Sequence, residues 1–212
     1  TAKARIGSQP VLQLETLTVS DRMASALMSA VAFAGEQLSG FMERPIRLRG
    51  TQVERLRLER LPDLQADADR AVIAIYLSFS GALEGHVILS FSPEAASRLA
   101  GLLLMEPEIE LPLDDMARSA MGEVGNITAA SFLNALANSL GMIIHPSPPT
   151  IVQDMIGALL SNVVLEMAME STDALLVHTL FDLEGERLQG EVLLLPTAAS
   201  CDILESELAQ CK

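Results

Sequence analysis

The chain carries one pattern twice. Gly85-His86-Val87-Ile88-Leu89 and Gly190-Glu191-Val192-Leu193-Leu194 place glycine, valine and leucine identically, 105 residues apart. Each run is preceded by an apolar stretch (Ala71 to Phe79, Ala174 to Phe181) and followed by a proline turn (Pro93, Pro196), an Ala-Ala pair and an apolar helical pattern. Upstream, Asp21-Arg22-Met23-Ala24-Ser25-Ala26 lines up with Asp115-Met116-Ala117-Arg118-Ser119-Ala120. A repeat of this kind restricts the fold to two similar halves that bury their apolar faces together. The expectation is one domain over residues 1–212, made of repeats at about 20–104 and 114–209.

Each half reads as long helix, strands, short helix. Ser20 or Asp21 can cap a helix to about Met42, with Met23, Leu27, Val31, Ala34, Leu38 and Phe41 as its apolar stripe. Strands are expected near Ile46–Arg49, Val53–Leu61, Arg70–Ser80 and Gly85–Phe91, with a polar turn over Pro62 to Asp69. Ser92-Pro93 opens a helix to about Leu104. Met105 to Pro112 links the halves. A second long helix spans about Leu113 to Gly141, and Pro146, Pro148 and Pro149 mark a bend. Strands near Ala158–Glu170, Ala174–Leu183 and Leu188–Leu195 precede a final helix from about Thr197 to Gln210. Hairpin spacing implies antiparallel pairing. The fold expected is α+β: an internally duplicated, two-layer, pseudo-two-fold antiparallel sheet with both long helices side by side on one face.

Composition narrows the function. A net charge of −14 argues against nucleic acid, whose binding needs clustered Lys and Arg to displace counterions. No apolar run approaches the roughly 20 residues of a membrane span, and no signal-peptide pattern opens the chain. It begins at Thr1, which leaves room for a leading segment outside it. Cys201 and Cys211 lie about 15 Å apart along one helix, too far for a disulfide between them, which fits a reducing cytoplasm. Neither has a His nearby in sequence to activate it. His86, His145 and His178 lack metal-ligand spacing; His145, beside Pro146, reads as a loop histidine.

The second long helix carries the chemistry. At 100° per residue, Ser119, Glu123 and Asn126 share an arc of about 60°, and Ala117, Met121, Val124, Thr128, Phe132 and Ala135 lie opposite. Asn134 and Asn138 continue the polar side. Gly122 and Gly125 flank the polar pair, at about 1 kcal/mol each relative to Ala; they lower the wall for the backbone of another molecule.

Ser119-x3-Glu123-x2-Asn126, followed after twenty-two residues by Pro149, resembles the signature of the CheC/CheX/FliY phosphatases of bacterial chemotaxis. The duplicated halves and the Gly-x-Val-x-Leu strands are similar to CheC and extend the resemblance over nearly the whole chain. It implies a phosphatase acting on the aspartyl phosphate of a CheY-like response regulator. Glu123 would pair with the regulator's active-site lysine and Asn126 would orient the attacking water. The resemblance implies no cofactor on this chain, with Mg²⁺ carried by the regulator. CheC proper has two such sites; here Ser25 matches Ser119, but Ser29 and Ala32 stand where Glu123 and Asn126 would be. A single intact site is therefore expected, and binding of the deamidase CheD stays open. The alternative is a non-catalytic docking module for receiver domains, CheD or flagellar switch components.

Overall fold

Ser20 caps the first helix: its Oγ accepts from the Met23 N–H at 3.2 Å, and α1 runs Asp21–Met42. The chain, in a computed structural model that describes residues 18–64, 68–106, 109–183 and 186–210, continues through β1 (Ile46–Arg57), β2 (Ala71–Gly81), β3 (Gly85–Phe91) and α2 (Pro93–Leu104). The second half is α3 (Asp115–Ser139), β4 (Ile144–Pro146), β5 (Thr150–Met155), α4 (Ile156–Met167), β6 (Asp173–Leu183), β7 (Glu186–Pro196) and α5 (Ala198–Gln210). Ser92 caps α2 as Ser20 caps α1, with its Oγ accepting from the Ala95 N–H at 3.2 Å.

The sheet is antiparallel throughout, in the order β1-β6-β7-β3-β2-β4, with β5 also pairing β2. This order reads the same from either end when the halves are exchanged. At the centre, β3 meets β7 with Ile88 opposite Leu193. Flanking it, β2 pairs β3 and β6 pairs β7. The outermost strands cross over: β1 of the first half pairs β6 of the second, and β4 and β5 of the second half pair β2 of the first. Both outer strands are interrupted, β1 by a bulge between Gly50 and Gln52 and its counterpart by the prolines between β4 and β5. At the β1 edge, Arg47, Arg49 and Arg57 are exposed, a charge pattern that discourages further strand pairing.

The larger core lies between the sheet and α1, α2, α3 and α5, and α1 packs beside α3. Leu27, Leu38, Ile75, Val124, Phe132 and Phe181 are buried there. A fully buried side chain of this size contributes about 1.5–3 kcal/mol, so this face dominates the apolar stabilisation.

Several expectations need correction. The segment expected as a strand at Ala158–Glu170 is the helix α4. Its buried residues, Ile156, Leu159, Leu160, Val163 and Met167, recur at helical spacing, a period hidden in a nearly continuous apolar run. With the 3-10 turn at Leu58–Leu64, α4 covers the second face of the sheet over Leu56, Val72, Ala74, Ile88 and Leu193, so the architecture exceeds two layers. The two strands expected at Ile46–Arg49 and Val53–Leu61 are one bulged strand ending at Arg57; Leu58 and Leu61, three apart and both buried, suit the 3-10 period that follows. Residues 65–67 of the expected polar turn lie outside the described residues. The proline bend contains two short strands, β4 and β5. Phe41 is exposed, and Met42 takes its place in the core, because α1 turns into β1 there through Glu43 in the left-handed region. Ser39 closes that turn, its Oγ donating to the Arg44 carbonyl at 2.6 Å and accepting from the Ile46 N–H at 3.2 Å.

Candidate functional site

Asp114 starts α3, its carboxylate accepting from the Ala117 N–H at 2.8 Å. The helix is anchored along one side by Ala117, Met121, Val124, Thr128, Phe132 and Leu136, all buried, while Ala135 is half-buried. On the outer side Ser119 and Glu123 are exposed and Asn126 is half-buried. These three side chains line one open groove of 610 Å³ with Asp115, Arg118 and Gly122; Pro149, Thr150 and Ile151 form its far wall. The fold thus brings Pro149, twenty-three positions after Asn126, alongside the helical residues. No side chain of Ser119, Glu123 or Asn126 has a hydrogen-bond or ion-pair partner among the described residues. A carboxylate, a carboxamide and a hydroxyl with unspent hydrogen-bonding capacity face solvent from a rigid backbone.

The two glycines have separate roles, which corrects the expectation that both lower the outer wall. Gly122 does line the groove: a Cβ there would rest 3.5 Å from Ile151 Cδ1, an ordinary contact. Gly125 is buried and faces inward; a Cβ there would sit 2.3 Å from Ile75 Cγ2. It is required by the close approach of α3 to β2. Gly125→Ala is expected to destabilise by about 1–3 kcal/mol through overpacking. Gly122→Ala should instead stabilise by up to about 1 kcal/mol through helix propensity. Urea unfolding of both variants checks the contrast; equal shifts would contradict it.

On α1, Ser25, Ser29 and Ala32 are exposed, but Met28 stands where α3 has Gly122. Its Cγ lies 3.1 Å from where a Cβ on Gly50 would be, so the methionine fills the space between α1 and the bulge of β1. The first half therefore lacks the open side of the groove as well as the acidic and amide groups.

The remaining candidates are engaged elsewhere. Cys201 is buried with its sulfur 3.5 Å from Arg55 Nη2, and burial pushes its thiol up, away from nucleophilic character. Arg55 also donates from Nε to Asp173 at 3.0 Å and bonds Glu205, tying β1 to β6 and α5. Cys211 lies outside the described residues. His86 stacks on Tyr76 with centroids 5.1 Å apart and hydrogen-bonds its hydroxyl through Nδ1; burial holds the imidazole below its usual range. Burial, reinforced by Glu166, pushes the Tyr76 hydroxyl up to about 12. His178 lies 3.3 Å from Glu54. His145 is exposed on β4, opposite Ser80. Asn134 and Asn138 are exposed on α3. Among the described residues no group of three His, Cys, Asp or Glu is placed to hold a metal ion, and no helix is long and apolar enough to cross a membrane. Sequence reasoning missed Asp115, Arg118, Thr150 and Ile151 as groove residues; the groove joins two elements whose packing no spacing rule specifies.

The chain is similar to known chemotaxis proteins. The family of the chemotaxis phosphatase CheX matches residues 73–171, a span that holds the whole groove. The CheY-P phosphatase CheC of Bacillus subtilis is 29% identical over 164 residues, covering 75% of this chain and 78% of that protein. Among solved structures, FliY of Thermotoga maritima superposes with a TM-score of 0.76 at 18% identity, over 92% of this chain and 100% of its own. CheX in a CheX–CheY–BeF3–Mg²⁺ complex from Borrelia burgdorferi is a more distant likeness, with a TM-score of 0.50 at 20% identity over 82% of this chain and 97% of that one.

Proposed function

We propose that this chain, which belongs to the CheC/CheX/FliY family of chemotaxis phosphatases, hydrolyses the aspartyl phosphate of a CheY-like response regulator through Glu123 and Asn126. The observation that carries the reading is the pair itself: two unengaged polar side chains on a helix anchored from behind, beside an open groove walled by Pro149. An acyl phosphate is already activated, so the protein needs no nucleophile of its own. Water attacks phosphorus, the bond from phosphorus to the aspartyl oxygen breaks, and carboxylate and inorganic phosphate leave. Catalysis is then positioning and charge stabilisation. Asn126, a carboxamide and a weak base, orients the water by geometry. Glu123 meets the regulator's lysine and fixes the register of docking. Ser119 and Gly122 keep the groove polar and open, and Gly125 lets α3 sit close to the sheet. Mg²⁺ belongs to the regulator, a reading supported by the Borrelia complex of CheX and CheY with BeF3 and Mg²⁺. The reading puts this chain in the cytoplasm with its regulator. It further treats the chain as one domain of two repeats, about 20–104 and 114–209, in keeping with the sheet order.

The direct test is phosphate release from a phosphorylated CheY-like receiver domain with and without the protein; no acceleration on any receiver overturns the reading. The filled first half adds a second test. Ser29→Glu with Ala32→Asn, introduced into the Asn126→Ala protein, should leave it inactive, because Met28 still occupies the groove position. Recovery of turnover by those two changes alone would refute that account. A second reading, a docking module, is favoured by Phe33 and Phe41, both exposed on α1 at 39% and 45%. Such a face could serve CheD or flagellar switch components, and the Glu123 experiment below separates the two readings.

A further inference from the structure

Three of the four residues from Pro146 to Pro149 are prolines without an N–H, and the ladder between β2 and this edge of the sheet breaks between Pro146, opposite Phe79, and Thr150, opposite Tyr76. Ser147 bridges the gap. Its N–H donates to the Ser78 carbonyl at 2.8 Å, and its Oγ accepts from the Ser78 N–H at 3.0 Å. This holds the start of β5 in the plane of the sheet but does nothing to hold it against α3. On that side Gly122 offers no side chain to Ile151, which packs, partly buried, at the edge of the larger core. The polar tie across the gap is Arg118. Its half-buried guanidinium donates from Nη2 to the Ile151 carbonyl at 3.0 Å. Arg118 leaves α3 about 140° around the helix from Glu123 and lines the groove on the side of Gly122.

We infer that Arg118 is a positioning residue. It sets the width of the groove between the Asn126 face and the Pro149–Ile151 wall, and so the place of the water that Asn126 orients. The inference rests on the function proposed above. A misplacement of about 1 Å in such a site costs on the order of 100-fold in rate, and the Arg118 hydrogen bond joins α3 directly to β5, which is otherwise laddered to β2 from Thr150 to Met155.

The test uses the full chain with a phosphorylated CheY-like receiver and two variants. Arg118→Met keeps the apolar stem and removes the donor; Arg118→Lys keeps length and one donor. Arg118→Met should lower kcat about tenfold or more while KM stays within about twofold. Its Tm should be unchanged, and amide exchange over Thr150 to Met155 should accelerate. Arg118→Lys should recover most of kcat. Unchanged kcat in Arg118→Met, or a raised KM with kcat intact, would overturn the inference, the latter because Arg118 would then touch the partner. A wild-type protein that releases no phosphate overturns the function itself and this role with it, whereas an active wild type with an equally active Arg118→Met sinks only this role. Should Arg118→Met fail to fold, Arg118→Lys decides: wild-type exchange over β5 with reduced kcat would refute the tie.

Discussion

Asn126→Ala should reduce phosphate release from a phosphorylated receiver domain by about 100-fold or more, to the receiver's own rate of hydrolysis. The side chain has no partner within the described residues, so its removal breaks nothing that holds the fold. Alanine is the better helix former, and a change at such a position usually moves stability by no more than about 0.5 kcal/mol. Thermal unfolding should therefore be unchanged or slightly raised, and affinity for a receiver carrying a phosphate mimic should be nearly wild-type. Loss of turnover with retained binding is the signature of a group needed in the transition state rather than in docking. Wild-type turnover by Asn126→Ala on every receiver tested would remove it from the mechanism.

Glu123 should show the opposite split. It is exposed in the free protein, and in the proposed docking it is desolvated against the regulator's lysine. Truncating one partner of such a pair typically costs about 2–5 kcal/mol, or roughly 30- to 4,000-fold in Kd. Glu123→Lys should lie at the severe end, because it opposes two like charges. Ser29→Lys, at the matching position of α1, should leave affinity within about twofold, since that face has neither the acid nor the open groove. Titration of both variants with a phosphate-mimic-bound receiver checks the asymmetry. Equal losses, or a larger loss for Ser29→Lys, would favour the docking-module reading, in which either long helix could serve as the contact face.

Much of this protein is readable along the chain. Helix starts at Ser20 and Ser92 are local events, each decided by a hydroxyl within reach of an N–H three residues on. The common arc of Ser119, Glu123 and Asn126 follows from the helical period alone, and the repeat foreshadows a sheet whose order reads alike from both ends. Tertiary structure settled what depends on neighbours distant in sequence. The apolar run after Met155 became a helix because a sheet face bared by Leu56, Val72 and Ile88 needed a cover, and one-sided burial at helical spacing supplies it. Gly122 and Gly125, three residues apart and alike in sequence, parted in role because one faces a gap and the other faces Ile75. The groove itself arises only where Pro149 to Ile151, laddered to β2, pack beside α3, and one guanidinium of α3 reaches a carbonyl thirty-three positions away. Periodicity tells which residues share a face, but which face meets another is decided by the packing of the whole chain.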